Sequence, residues 1–118
     1  MGTRIIILLL FLCSFCAAGD EELLFDNELK YAVSYCLSKA YPDSAFSDDA
    51  SYISGAYLQK GKYGLDLYQS IREFVDLYRK EKYRSKHNRN LALMQCIDLS
   101  TSPVLLMRLK KITADIDA

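Results

Sequence analysis

Two cysteines constrain this chain more than anything else in it. The 118-residue sequence holds four, but Cys13 and Cys16 fall inside an N-terminal run that reads as a targeting segment. Arg4 supplies a positive start, residues 5–12 are apolar without interruption, Cys16, Ala17 and Ala18 are small, and Asp20 follows. That order is the pattern of a secretory signal peptide over residues 1–18, with cleavage expected after Ala18. The apolar run is too short to span a bilayer comfortably, so no membrane attachment is expected after cleavage. The Cys13-Ser14-Phe15-Cys16 spacing leaves with the signal. Residues 19–118 then form one small domain carrying Cys36 and Cys96 in an oxidising compartment. A disulfide between them would close a loop of about sixty residues and contribute about 4 kcal/mol in the chain-entropy model. For a domain of roughly 100 residues that is a large share of the net stability. Two buried free thiols are the alternative.

The remaining pattern is helical throughout. Asp26 is placed to cap a first helix with Glu28 near its positive end, and Leu29, Ala32, Val33, Cys36, Leu37 and Ala40 recur at three- and four-residue spacing up to Tyr41-Pro42. Tyr31 and Tyr35 fall on the other side as a partly exposed pair. A second helix is predicted over about 48–60, with Ala50, Ile53, Ala56 and Tyr57 on one face and a Ser54-Gly55-Ala56 stretch suited to close packing. Gly61-Lys62-Tyr63-Gly64 breaks the chain. Asp66 and Gln69 then read as a capping box for a third helix with the stripe Leu67, Tyr68, Ile71, Phe74, Val75 and Tyr78. Residues 91–99 are apolar on nearly every side, only Gln95 and Asp98 sharing a polar strip, and a helix of that kind is expected at the centre of a fold. Ser102 and Pro103 start a last helix, whose face is Leu105, Leu106, Leu109 and Ile112, with residues 113–118 as a frayed tail. The expected fold class is all-α, a small bundle of about five helices clamped by a Cys36–Cys96 bond.

Composition narrows the function. Fifteen basic residues balance fifteen acidic ones, which argues against a nucleic-acid binder. His87 is the sole histidine, so no second imidazole exists for a His-rich metal site, and no metal or other cofactor is expected. No H-E-x-x-H, phosphate-binding loop, dinucleotide turn or G-x-S-x-G is present. A Cys–His nucleophile pair would need Cys36 or Cys96 free and exposed, and both lie on apolar helical faces. The acidic pairs Asp48-Asp49 and Glu73 with Asp76 read as surface solvation. A secreted helical domain without catalytic parts is expected to bind rather than to catalyse.

Four stretches carry a family resemblance. They are the helix Tyr31-Ala32-Val33-Ser34-Tyr35-Cys36-Leu37-Ser38-Lys39-Ala40-Tyr41, then Ser54-Gly55-Ala56-Tyr57-Leu58 followed by Tyr63, then Val75-Asp76-Leu77-Tyr78, and finally Met94-Gln95-Cys96-Ile97-Asp98-Leu99. In order and spacing the chain resembles the fourth family of amidase immunity proteins of type VI secretion. It departs at Tyr31, where the aromatic is often tryptophan, and at Ser100-Thr101, where an aromatic-His pair is usual. The resemblance implies a periplasmic, all-helical homodimer that binds a cognate type VI amidase effector in a two-plus-two complex. It implies that the effector is a papain-like Cys-His enzyme of the NlpC/P60 type cutting peptidoglycan stems, and that inhibition works by occlusion, a protruding loop entering the catalytic groove. A periplasmic adaptor or lysozyme-type inhibitor unrelated to type VI secretion is the alternative, and a small hydrolase a third.

Two connections could be that loop. The first is the basic run Tyr83, Arg84, Ser85, Lys86, His87 and Asn88, flanked by strongly patterned helices, where a tyrosine beside arginines suits an interface anchor. The second spans 60–64, with Lys62 and with Tyr63 at its tip. For the dimer, either the small residues around Gly55 or the Tyr31/Tyr35 face is a candidate.

Overall fold

The computed structural model describes residues 24–117. The expected signal peptide, the acidic stretch after it and Ala118 lie outside those residues. The described chain forms five α-helices, α1 (Asp26–Ala40), α2 (Ala45–Lys60), α3 (Leu65–Lys80), α4 (Ala92–Asp98) and α5 (Pro103–Asp117), with a 3₁₀ turn (Leu99–Thr101) between the last two. No strand occurs among the described residues. None of the helices is long and apolar enough to cross a membrane.

The hub is α1, not the apolar stretch 91–99. It packs against α2, α3, α4 and the 3₁₀ turn, and it buries residues around most of its circumference: Glu28, Leu29, Tyr31, Ala32, Ser34, Cys36 and Ser38. Its buried serines cost little because each satisfies itself locally, Ser34 Oγ donating to the Tyr31 carbonyl and Ser38 Oγ to that of Tyr35. Asp26 is the first helical residue rather than the cap, and the residue before it, Phe25, is buried in the core. Tyr31 is buried as well, edge-on to Tyr68 and accepting a hydrogen bond from Arg72 Nη1 at 3.0 Å. The expected exposed Tyr31/Tyr35 pair is therefore half core. Tyr35 stays partly accessible, donating to Asp76. Desolvation first, and then that bond, push its hydroxyl up to about 12, so the link persists through the neutral range.

Proline at position 42 ends α1, and Asp43 turns the chain in the left-handed region at φ 59. Ser44 then caps α2, its Oγ accepting from Ser47 N at 3.1 Å. The second helix thus begins at Ala45, three residues ahead of the expected start. Against α1 it presents the small residues Ala50 and Ser54, its only buried ones, while Ile53 is exposed. Gly55 points away from the rest of the chain, and an added Cβ would meet nothing. The expected close approach is made by Ser54 instead.

The third helix keeps its predicted stripe, burying Leu67, Tyr68, Ile71 and Val75. Its capping box does not form. The helix begins at Leu65, so Asp66 already lies inside it, and no side chain caps the terminus. At Gly61 the constraint is space, since a Cβ there would overlap the Tyr68 hydroxyl, which donates to the buried Glu28. The two glycines predict opposite outcomes in thermal melts. Gly61→Ala should cost about 1–3 kcal/mol through overpacking, whereas Gly55→Ala should add up to about 1 kcal/mol by helix propensity alone. Equal effects would contradict these placements.

Residues 91–99 are only partly interior. Gln95, Cys96 and Leu99 are buried, but Leu93, Met94 and Ile97 are about half exposed. In α5, Ser102 accepts from Leu105 N as predicted, and Leu105 and Leu109 reach the core. The expected fraying after Ile112 is absent up to Asp117, and Thr113 is buried with its hydroxyl on the Leu109 carbonyl. The Cys36–Cys96 disulfide forms, its Cα atoms 5.5 Å apart, and joins the hub α1 to the short α4.

Candidate functional site

The longest connection in the described chain runs from the end of α3 to the start of α4, residues 81–91. It is strongly basic for a neutral protein. Within it Lys82, Arg84, Lys86 and Arg89 stand against Glu81 alone.

Its root is braced by a hydrogen-bonded cluster. Gln95, 5% exposed, donates through Nε2 to the carbonyls of Tyr78 (3.1 Å) and Glu81 (2.8 Å). These carbonyls lie at the C-terminal end of α3, where intrahelical donors run out, so a side chain of α4 closes α3. Tyr83 turns inward and donates to Asp98 Oδ2 at 2.7 Å. Tyr78 Oη lies 2.8 Å from the Gln95 carbonyl and 2.9 Å from Tyr83 Oη. With one proton left for two contacts, Tyr78 shares it between those acceptors. Hydrogen bonding to Tyr78 and Asp98 holds the Tyr83 hydroxyl well above its ordinary pKa, so it remains a donor across the physiological range.

This cluster reassigns Tyr83. It is half-buried with its hydroxyl committed, which makes it a root of the loop rather than an exposed residue at the tip. The tip belongs to Arg84, Lys86, His87 and Asn88, all exposed. Asn88 sits in the left-handed region at φ 55, a conformation asparagine tolerates. Ser85 accepts from His87 N at 3.1 Å, and Asn90 Oδ1 accepts from Ala92 N at 3.0 Å to lead into α4. The bracing side chains Tyr78, Gln95 and Asp98 were absent from the sequence-level candidates. The polar strip of Gln95 and Asp98 on an apolar helix does signal hydrogen bonds at neighbouring helix ends, since buried polar groups must find partners, and Gln95 finds its partners there.

The second candidate connection is shorter and docked. Tyr63 stacks on the buried Phe25 at 6.1 Å between ring centroids, and Lys62 lies over the Tyr63 ring at 5.5 Å. Only Lys62 of the two is exposed. Elsewhere an apolar groove of about 570 Å³ runs between α1 and α2, flanked by Leu29, Val33, Leu37, Phe46 and Ile53. Among the described residues no group of three or more His, Cys, Asp or Glu could hold a metal ion.

The fold is thus a disulfide-clamped helical frame with one basic loop hydrogen-bonded to it at the root. The family model for Tai4, the type VI secretion system (T6SS) amidase immunity protein, matches residues 27–110, and the chain belongs to that family. Among solved structures it is similar to a chain of the effector–immunity system Tae4/Tai4 from Salmonella typhimurium (selenomethionine variant), at 31% identity and a TM-score of 0.63. That match covers 71% of this chain and 85% of the other. No curated protein matches.

Proposed function

We propose that this protein is exported to the periplasm by cleavage of residues 1–18 and there occludes the active site of a cognate type VI amidase effector, without catalysis of its own. The carrying observation is the braced basic loop. A loop already ordered before contact loses less conformational entropy on binding, and its Arg84, Lys86, His87 and Asn88 all face solvent. These four residues make the contact, while Tyr83 and Ser85 shape the loop. The Lys62/Tyr63 connection is the lesser candidate because Tyr63 is spent on Phe25. The effector of this reading is the Cys-His peptidoglycan amidase that the family resemblance implies. The complex pairs a homodimer with two effectors. Of the two dimer surfaces considered, this reading takes the outer face of α2, where Gly55 and the exposed Tyr52 lie.

The test is periplasmic expression of the cognate type VI amidase effector. Lysis should follow, and co-expression of this chain should prevent it; lysis despite co-expression overturns the reading. The loop assignment has its own check. Arg84→Glu with Lys86→Glu should slow association with the purified effector by about tenfold at low salt, because facing charges act first on the on-rate. An unchanged on-rate and affinity would exclude this loop.

A further inference from the structure

Beside the loop's root lies a polar cleft of about 250 Å³ that the occlusion reading does not use. Arg79, Lys82 and Arg89 line it together, with the buried Gln95 and Cys96 on its inner wall, and no aspartate or glutamate lines it. None of the three cations has an ion-pair partner among the described residues. Arg79 is fixed, its Nη2 donating to the Lys39 carbonyl at the end of α1 at 3.0 Å, which leaves the rest of its guanidinium fork unspent. Three cations thus line one concavity that no acidic side chain lines. Such a surface complements an anion, and a guanidinium fork matches the planar, two-oxygen geometry of a carboxylate.

We propose that this cleft is a carboxylate receptor that takes an acidic side chain from the surface of the effector as the loop docks. The proposal rests on the occlusion reading for its partner, since the cleft lies at the root of the loop that this reading assigns to the effector. The loop tip then blocks the effector, and the cleft fixes the angle at which the loop arrives. Selectivity among effectors would follow from whether an acidic residue stands at the matching place.

Two measurements on the oxidised mature chain test it. In the first, the free protein is titrated at low salt with N-acetyl-aspartate amide, followed by NMR of the arginine side-chain and 89–92 amide signals. Saturable shifts are expected, absent with N-acetyl-asparagine amide and abolished in Lys82→Gln/Arg89→Gln. Both substituted residues are exposed, so the variant should keep the parent melting temperature. Shifts that match between the two probes, or none at all, overturn the receptor. In the second, the double variant should bind the effector about tenfold or more weakly, with faster dissociation. Lys80→Gln/Lys111→Gln, which removes equal charge outside the cleft, should leave the dissociation rate unchanged. Equal dissociation rates for the two variants overturn the proposal and leave immunity intact. A parent chain that does not bind the effector overturns the occlusion reading instead, while the first titration still judges the cleft.

Discussion

Reduction of the Cys36–Cys96 bond, or its replacement in Cys36→Ala/Cys96→Ala, should lower stability by about 4 kcal/mol, the chain-entropy value for a loop of this length. For a domain of this size that corresponds to a fall of about 15–30 °C in melting temperature. The structure gives a reason to expect the full effect. The helix that carries Cys96 has seven residues, too few to hold a helix in water by itself. Three of its large apolar side chains remain about half exposed, so little apolar burial besides Cys96 itself anchors it. The bond ties this short helix directly to α1, the element on which α2, α3 and the 3₁₀ turn also pack. Thermal melts with and without dithiothreitol, with thiol titration to confirm reduction, make the measurement. A melting temperature unmoved by reduction would mean that α4 is held by its contacts alone.

The same short helix shows where a sequence stops being legible. The cysteine pairing could be read because it depends on chemistry and compartment, which survive errors in helix position. The five-helix outline could be read because Leu67, Ile71 and Val75, or Leu105 and Leu109, repeat at helical spacing. Which helix forms the centre could not. Hydropathy ranks residues 91–99 above α1, yet α1 is buried through Tyr31, Ser34 and Ser38, whose polar atoms find partners within one turn or across a helix contact. The small serines admit a neighbouring helix where larger apolar residues would hold it off. The early start of α2 was legible in principle, since Phe46 stands four residues before Ala50 on the face of Ile53 and Tyr57 and Ser44 is there to cap it; the Pro42-Asp43-Ser44 turn signal hid how soon the helix resumes. At the candidate site the basic run was visible, but the inward turn of Tyr83 was not. That turn depends on Tyr78 and Asp98, five and fifteen positions away, and no local pattern encodes such a meeting.

Gln95 should prove the most sensitive residue of the loop's root. Its side-chain amide nitrogen serves two backbone carbonyls at the end of α3, and its backbone carbonyl accepts from Tyr78. Gln95→Glu keeps the shape but exchanges the donor for a buried carboxylate facing two carbonyl oxygens, and should cost about 3 kcal/mol or more. Gln95→Met removes the donor without adding charge and should cost about 1–3 kcal/mol, since the carbonyls it leaves can be reached only in part by water. Tyr83→Phe separates the brace from the helix end. It removes the bond to Asp98 and leaves the Gln95 contacts to α3 in place. Its global stability should therefore fall by only about 1 kcal/mol, while amide exchange across 83–90 should quicken and dissociation of the effector should speed up as the loop regains freedom that binding must remove. That separation is the informative result. A brace serving only the fold would show its loss in the melting temperature, and a brace serving the contact shows it in loop exchange and residence time. If Tyr83→Phe leaves both exchange and dissociation as they are in the parent, the loop takes its order from elsewhere and the root cluster has no part in presenting it.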